Sequence, residues 1–236
     1  QVAAPGPFLE DVLAQSPHRS RNHHAREGTQ PGRLQPPGRP TNGDGRRDPW
    51  QIEDALASTA NYLGKSGWQR GQRWGREVRL APDFDYRYVE NSLAPAQWGQ
   101  LGARQNSGAA LPGDADTAKL WLPAGASGPA LLTYPNFKTI KVYNNADSYA
   151  LAIGLIADGI SGGGGISASW PRDEQGLTRD QVQRLQQNLT AQGYDTKGTD
   201  GVMGANTRRA FAAWQAANGQ TPDGFISQRS AATLIQ

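Results

Sequence analysis

All seven tryptophans lie from Trp50 onward, whereas residues 1–47 hold seven arginines, seven prolines and all three histidines (His18, His23, His24), with Phe8 as their only aromatic. That partition decides where a core can form. A stretch such as Arg33-Leu34-Gln35-Pro36-Pro37-Gly38-Arg39-Pro40 cannot bury enough apolar surface to offset its ordering entropy. Residues 1–42 are therefore expected to be disordered, and order is expected to begin at Asp48-Pro49-Trp50, with Asp as a helix N-cap and Pro in the first helical position. The net charge of +3 resides in the same segment, where the seven arginines face Glu10, Asp11, Glu27 and Asp44, so residues 48–236 are neutral.

The 236 residues allow one sizeable domain, or a medium domain with a small one. The absence of cysteine excludes a disulfide scaffold, a zinc-thiolate site and cysteine nucleophile chemistry. No stretch approaches the roughly 18 apolar residues of a membrane span, and the first residues lack the basic-then-apolar layout of a signal peptide. The start at Gln1 rather than Met is read as a processed or partial product whose export signal lay upstream. Clustered arginines could neutralise phosphates, but no aromatics interleave with them and no basic face extends the footprint, so no nucleic-acid partner is expected. His23-His24 has no carboxylate pair nearby and makes a poor metal site.

Beyond Trp50 the periodicity becomes readable. Ile52, Leu56 and Leu63, with Ala55, Thr59 and Ala60 on the same side, predict an amphipathic helix of about four turns ending at Gly67. Glu77–Leu80, Tyr86–Val89, Lys119–Leu122 and Ala130–Tyr134 read as short strands punctuated by Gly and Pro. A further element covers Asn136–Asn144. A helix capped near Asp147 or Ser148 follows, through Tyr149, Leu151, Ile153, Leu155 and Ile156; being apolar over much of its circumference, it is expected to be well buried. Four consecutive glycines mark residues 161–175 as a linker.

After the linker, Thr178-Arg179-Asp180-Gln181 has capping-box spacing ahead of the stripe Val182, Leu185, Leu189, with Gly193 as the stop. A second helix carries Ala210, Phe211, Trp214 and Ala217, and a third carries Ala231, Leu234 and Ile235. The second and third are each preceded by one phrase, Asp200-Gly201-Val202-Met203-Gly204 and Asp223-Gly224-Phe225-Ile226-Ser227, in which the glycine permits positive φ and the apolar pair docks the turn.

Residues 176–236 resemble the peptidoglycan-binding domain of bacterial wall enzymes through Leu185-Gln186, Leu189, Gly193-Tyr194, Asp200-Gly201, Gly204, Thr207, Ala210, Trp214-Gln215 and Asp223-Gly224. Most of these hold the helices together. The surface around Tyr194, Asp200 and Asn206 is the part the resemblance leaves for touching glycan or stem peptide.

Residues 43–170 are similar to the C-terminal part of the lytic murein transglycosylase B family. The similarity is carried by Gly43–Trp50, Asp54–Leu63, Gly67-Trp68, Gly128-Pro129-Ala130, Pro135-Asn136-Phe137, Ile140, Tyr143-Asn144 and Tyr149-Ala150. The resemblance implies cleavage between N-acetylmuramic acid and N-acetylglucosamine with a 1,6-anhydro product, one glutamic acid serving as acid and then base. It implies that this Glu precedes the Gly43-Asp44-Gly45-Arg46-Arg47-Asp48 block, in an element ending Glu-x-x-x-Gly. Glu10 and Glu27, the glutamates of that region, do not stand in that context, so no catalytic residue is assigned. The composition of 1–42 fits a shifted reading frame or a mis-assigned start, which translating the parent DNA in every frame tests. The resemblance does assign Tyr62, Tyr143, Asn144 and Tyr149 to a glycan groove, where aromatic faces stack on sugar rings and an amide holds an acetamido or hydroxyl group. It also implies a calcium loop. Asn42, Asp44, the Arg46 carbonyl and Asp48 fill the middle positions, but Pro40 and Gln51 stand at the two ends, where tight binding needs oxygen ligands.

The resulting expectation is an α+β, mainly helical protein: residues 1–42 disordered, 43–160 a partial lysozyme-like transglycosylase domain, 161–175 a linker, and 176–236 a small three-helix wall-binding domain. Its expected partner is peptidoglycan glycan, its site the periplasm or cell envelope, and its state monomeric. No cofactor is expected, calcium being the one metal weighed. Any membrane contact would run through a lost N-terminal anchor. The competing reading is a peptidoglycan binder that holds glycan without cutting it.

Overall fold

The computed structural model describes residues 50–236. The expected cap Asp48-Pro49, the calcium positions Asn42, Asp44 and Asp48, and residues 1–42 lie outside them. The described residues form six α-helices and a five-stranded sheet in the order α1 (Ile52–Lys65), β1 (Gly75–Arg79), β2 (Ser92–Leu93), α2 (Pro95–Gln100), β3 (Arg104–Gln105), β4 (Ala118–Trp121), β5 (Ala130–Thr133), α3 (Pro135–Tyr143), α4 (Asp147–Ile160), α5 (Arg179–Ala191) and α6 (Ala205–Ala217). No helix among them is long and apolar enough to cross a membrane. Packing divides the described residues into two units: 50–75 with Tyr134–Gly165, and Arg76–Thr133 with Ile166–Gln236.

In the first unit α1 starts later than expected, at Ile52 with Gln51 rather than Asp48 in the cap position, and its faces are reversed. Asp54 and Ser58 are buried, while Ile52 and Leu56 are 73% and 66% exposed. The Ser58 hydroxyl donates to the Asp54 carbonyl, which satisfies part of that polar face. Asn136–Asn144 is realised as helix α3, with Pro135 at its first turn supplying a helical φ without a wasted N–H. Asn136 is fully buried: its Oδ1 accepts the Gln69 N–H at 2.8 Å, and its Nδ2 donates to the Gln69 and Gln72 carbonyls, each at 2.8 Å. One amide thus fastens the loop after α1 onto α3. Helix α4 departs from expectation in its burial. Ala150 and Gly154 are its buried residues, whereas Ile156 and Ile160 are 59% and 83% exposed. A Cβ on Gly154 would come within 2.4 Å of the Trp74 ring, so only glycine lets α4 lie against that indole. Trp74 Nε1 also donates to Asp158 at 2.9 Å.

The second unit is built on the sheet, ordered β2-β4-β5-β1-β3, with antiparallel pairs β1/β3, β2/β4 and β4/β5. Leu120 sits opposite Leu132 and Trp121 opposite Leu131, which sends Ala118 and Leu120 into the core and turns Lys119 outward. Trp98 on α2 is wholly buried, and its indole N–H donates to the Ala118 carbonyl at 3.0 Å. Tyr86–Tyr88 is a 3₁₀ turn rather than a strand, because the Asp85 carboxylate accepts the Arg87 N–H and closes the chain locally.

Helices α5 and α6 enclose a core of Leu185, Leu189, Phe211, Trp214, Ile226, Ala231 and Leu234. The capping box forms as predicted: Thr178 Oγ1 accepts the Gln181 N–H, and Gln181 Oε1 accepts the Thr178 N–H. The expected third helical segment closes as successive turns. Ala231 and Leu234 are buried and Ile235 partly so, yet Ala232 and Leu234 donate to carbonyls three residues back. The Ser230 hydroxyl meanwhile donates to the Phe225 carbonyl, and Ser227 N donates to Ser230 Oγ. These hydroxyls compete with regular helical bonding at a seven-residue tail.

Candidate functional site

Three of the four groove residues meet in the first unit. Helix α3 ends at Tyr143 and α4 starts four residues later, so the corner brings Tyr143 and Tyr149 together with ring centroids 5.9 Å apart and planes 29° apart. Tyr62, from the last turns of α1, meets Tyr143 edge-on, again at 5.9 Å, with planes at 87°. The corner itself is held twice. Asn144 Oδ1 accepts the Ala146 N–H at 3.2 Å, and Lys141 Nζ pairs with Asp147 at 2.6 Å across the turn.

The cluster combines an apolar stacking surface with phenol groups. Tyr143 is 49% exposed, and Tyr62 and Tyr149 are half-buried beside it. Burial, followed by the neighbouring Tyr143 and Tyr62 phenols, pushes the Tyr149 hydroxyl above its ordinary value. It therefore stays protonated at neutral pH and can donate a hydrogen bond. Exposed rings of this kind, backed by further rings, can stack on a sugar face while their hydroxyls hydrogen-bond its substituents. Asn144 is exposed, and its Oδ1 is committed to the N–H of Ala146, the residue in the cap position of α4.

In the second unit the two Asp-Gly turns are built alike. The buried Gln186 donates from Nε2 to Asp200 Oδ1, while its Oε1 accepts the Gly201 N–H at 2.9 Å. The buried Gln215 donates to Asp223 Oδ1, and its Oε1 accepts the Gly224 N–H, again at 2.9 Å. Gly201 and Gly224 take φ of 74° and 67°, the left-handed region in which this turn closes without strain. Neither glutamine was assigned this task from the sequence. The signal available was its place in the helix preceding each Asp-Gly pair.

The module's candidate residues have distinct surroundings. Tyr194 packs against the helical core. Asp200 is exposed; hydrogen bonds from Val202 N and Gln186 hold its carboxyl below the usual range. Asn206 is exposed, with Oδ1 accepting from Arg209 Nη2 at 2.6 Å.

Burial works to raise the Glu77 carboxyl, but N–H bonds from Ser167 and Ala168, the Ser167 hydroxyl and the Asn106 amide outweigh it and hold the carboxyl below its ordinary value. A general acid needs the opposite shift. Among the described residues no three His, Cys, Asp or Glu side chains gather as a metal site.

The transglycosylase SLT domain family matches residues 32–158, and the peptidoglycan binding domain family matches residues 178–234. The membrane-bound lytic murein transglycosylase B of Escherichia coli (strain K12) is 29% identical over 124 residues, covering 50% of this chain and 32% of that protein. SltB3 of Pseudomonas aeruginosa, solved in complex with NAG-anhNAM-pentapeptide, is 44% identical, with a TM-score of 0.76 over 83% of this chain and 53% of its own. Its complex with NAG-NAM-pentapeptide gives 46% identity and the same TM-score, over 81% and 53% of the two chains. The chain thus spans about half the length of SltB3 and a third of the Escherichia coli enzyme. The first family's match holds all four groove residues, the tyrosine corner included, and extends over more than half of the sequence. On that ground the chain belongs to the transglycosylase SLT domain family.

Proposed function

We propose that this chain is the glycan-holding part of a peptidoglycan lytic transglycosylase, joined to a module that retains it on the wall. The observation that carries the reading is the three-tyrosine corner inside the segment matched by the transglycosylase family. It is supported by SltB3, whose structures contain NAG-anhNAM-pentapeptide and NAG-NAM-pentapeptide, the first with the anhydro sugar that such cleavage leaves. In this reading Tyr143 and Tyr62 stack on sugar rings, Tyr149 donates from its hydroxyl, and the Asn144 amide holds an acetamido group. The reaction expels the 4-oxygen of the leaving sugar, protonated by a glutamic acid, while the 6-hydroxyl of the muramyl residue closes on its own anomeric carbon. The same glutamate, now ionised, takes the proton from that hydroxyl.

The proposed organisation is a transglycosylase segment over 43–160, a glycine-rich connection over 161–175 and a wall-binding module over 176–236, with Tyr194, Asp200 and Asn206 on its contact surface. The proposed location is the periplasmic side of the cell envelope, where such glycan is found. A second reading, glycan binding without cleavage, is favoured by the stretch ahead of Gly43, whose glutamates Glu10 and Glu27 do not stand in the Glu-x-x-x-Gly context of the family's acid. Incubation with purified sacculi separates the two. Release of 1,6-anhydromuropeptides identified by mass supports cleavage; co-sedimentation without release supports binding alone; and absence of both refutes each.

A further inference from the structure

A second cleft lies wholly within the second unit, shares no residue with the tyrosine cluster, and has a volume of about 820 Å³. One wall is the outer face of β4, with Lys119 and Trp121. The other is the face of α6 bearing Arg208, Arg209, Ala212, Ala213 and Ala216. The 3₁₀ turn with Tyr86 and the second Asp-Gly turn close its sides. The walls are held together where Asp223 Oδ2 accepts the Ala126 N–H at 2.7 Å, so the cleft is a built feature of this unit.

The charges lining it are unevenly committed. Asp85 is paired with Arg87 at 2.6 Å. Asp223 spends Oδ1 on Gln215 Nε2 and Phe225 N, and Oδ2 on Ala126 N. Arg209 is bonded to Asn206. Among the described residues Lys119 and Arg208 enter no ion pair, and both are exposed. Glu90 and Asp223 are the lining acids without an ion-pair partner among the described residues, and Lys119, Arg208 and Arg209 outnumber them. The cleft therefore offers two cations, a wall of alanine methyls and the rings of Trp121 and Tyr86.

We infer that this cleft binds the peptide stem of peptidoglycan, a short alanine-containing peptide with several free carboxylates. Lys119 and Arg208 would take the carboxylates, and the alanine wall would take the small side chains. A neutral glycan strand has no group that needs two cations. The inference rests on the proposed wall function and deepens it, since it gives the module and the sheet a joint ligand distinct from the sugar chain.

The test uses the full chain and a synthetic pentapeptide, L-Ala-γ-D-Glu-meso-diaminopimelyl-D-Ala-D-Ala. Titration by NMR is expected to shift amides of residues 85–90, 119–122 and 208–216. Charge reversal of both cations (Lys119→Glu with Arg208→Glu) is expected to weaken binding about tenfold or more, and added salt to weaken it further. Both side chains are exposed, and circular dichroism checks that the variant folds. A peptide with every carboxylate amidated is expected to lose affinity, while Tyr143→Ala is expected to bind the free peptide as the parent does. The inference is overturned if the double variant binds as well as the parent, if the shifts fall on residues 62 and 143–149, if a chitin tetrasaccharide fills the cleft equally well, or if millimolar peptide produces no shift. Parallel sedimentation with sacculi distinguishes the failures. A chain that pellets but ignores the peptide loses only this inference, whereas one that does neither loses the wall-binding reading as well.

Discussion

Gln186 is a buried polar residue beside an apolar stripe, yet its amide is fully used: the two Nε2 hydrogens are shared among Asp200 Oδ1, the Val202 carbonyl and Thr207 Oγ1, and Oε1 accepts the Gly201 N–H. Its removal strands buried partners. Gln186→Ala is expected to cost about 2 kcal/mol, read as a lower urea midpoint. Gln215→Ala is expected to behave similarly, since Gln215 repeats the Asp and Gly bonds in the second turn. Glu77 shows the same economy with a charge. Its carboxylate gathers the Ser167 and Ala168 N–H groups, which ties the segment after the glycines to β1. Because its folded pKa is depressed, the stabilisation is present in full above the unfolded value of 4.5 and is lost as pH falls through the lower folded value. Denaturation midpoints measured down through that acid window should fall more steeply for the parent than for Glu77→Gln. Parallel curves for the two would refute the assignment.

At the scale of elements, periodicity located helices better than it located their buried faces. Val182, Leu185 and Leu189 read as a core stripe and are at most 4% exposed. Ile52 and Leu56 read the same way and face outward. Apolar spacing records that a face is apolar, and which side is covered depends on the neighbours a helix receives. Leu185→Ala is accordingly expected to cost about 2 to 5 kcal/mol. Leu56→Ser is expected to stay within about 0.5 kcal/mol. Equal effects in a chemical denaturation series would contradict this burial. The 3₁₀ turn at Tyr86–Tyr88 was read as a strand because its alternating aromatic and basic residues imitate one. What decides it is the Asp85 side chain bonding to Arg87 N, a local competition that alternation does not reveal.

At the scale of the molecule, the second of the twin Asp-Gly turns reaches beyond the two helices. Asp223 also accepts the Ala126 N–H of the β4–β5 connection. Asp223→Ala should therefore speed amide exchange in residues 124–128 as well as in α6, whereas Asp200→Ala should act on the helices alone; unchanged exchange at 124–128 in the first variant would sink this coupling. The tyrosine corner and the helical core were legible early, because Tyr143, Tyr149, Leu185 and Phe211 sit within or beside strongly patterned segments. The cleft between β4 and α6 was not, since Lys119 and Arg208 are ordinary surface cations until a distant turn docks and brings their elements together. The sequence by itself determined helices α1, α4, α5 and α6, the capping box, the paired turns and the family, all of which depend on residues close along the chain or on recurring motifs. Only the tertiary structure decided that α1 and α4 leave apolar residues exposed, that one amide of Asn136 fastens a loop, and that Glu77 holds the segment after the glycines. Those outcomes rest on partners some 60 to 90 residues apart, and no local pattern encodes a contact at that separation.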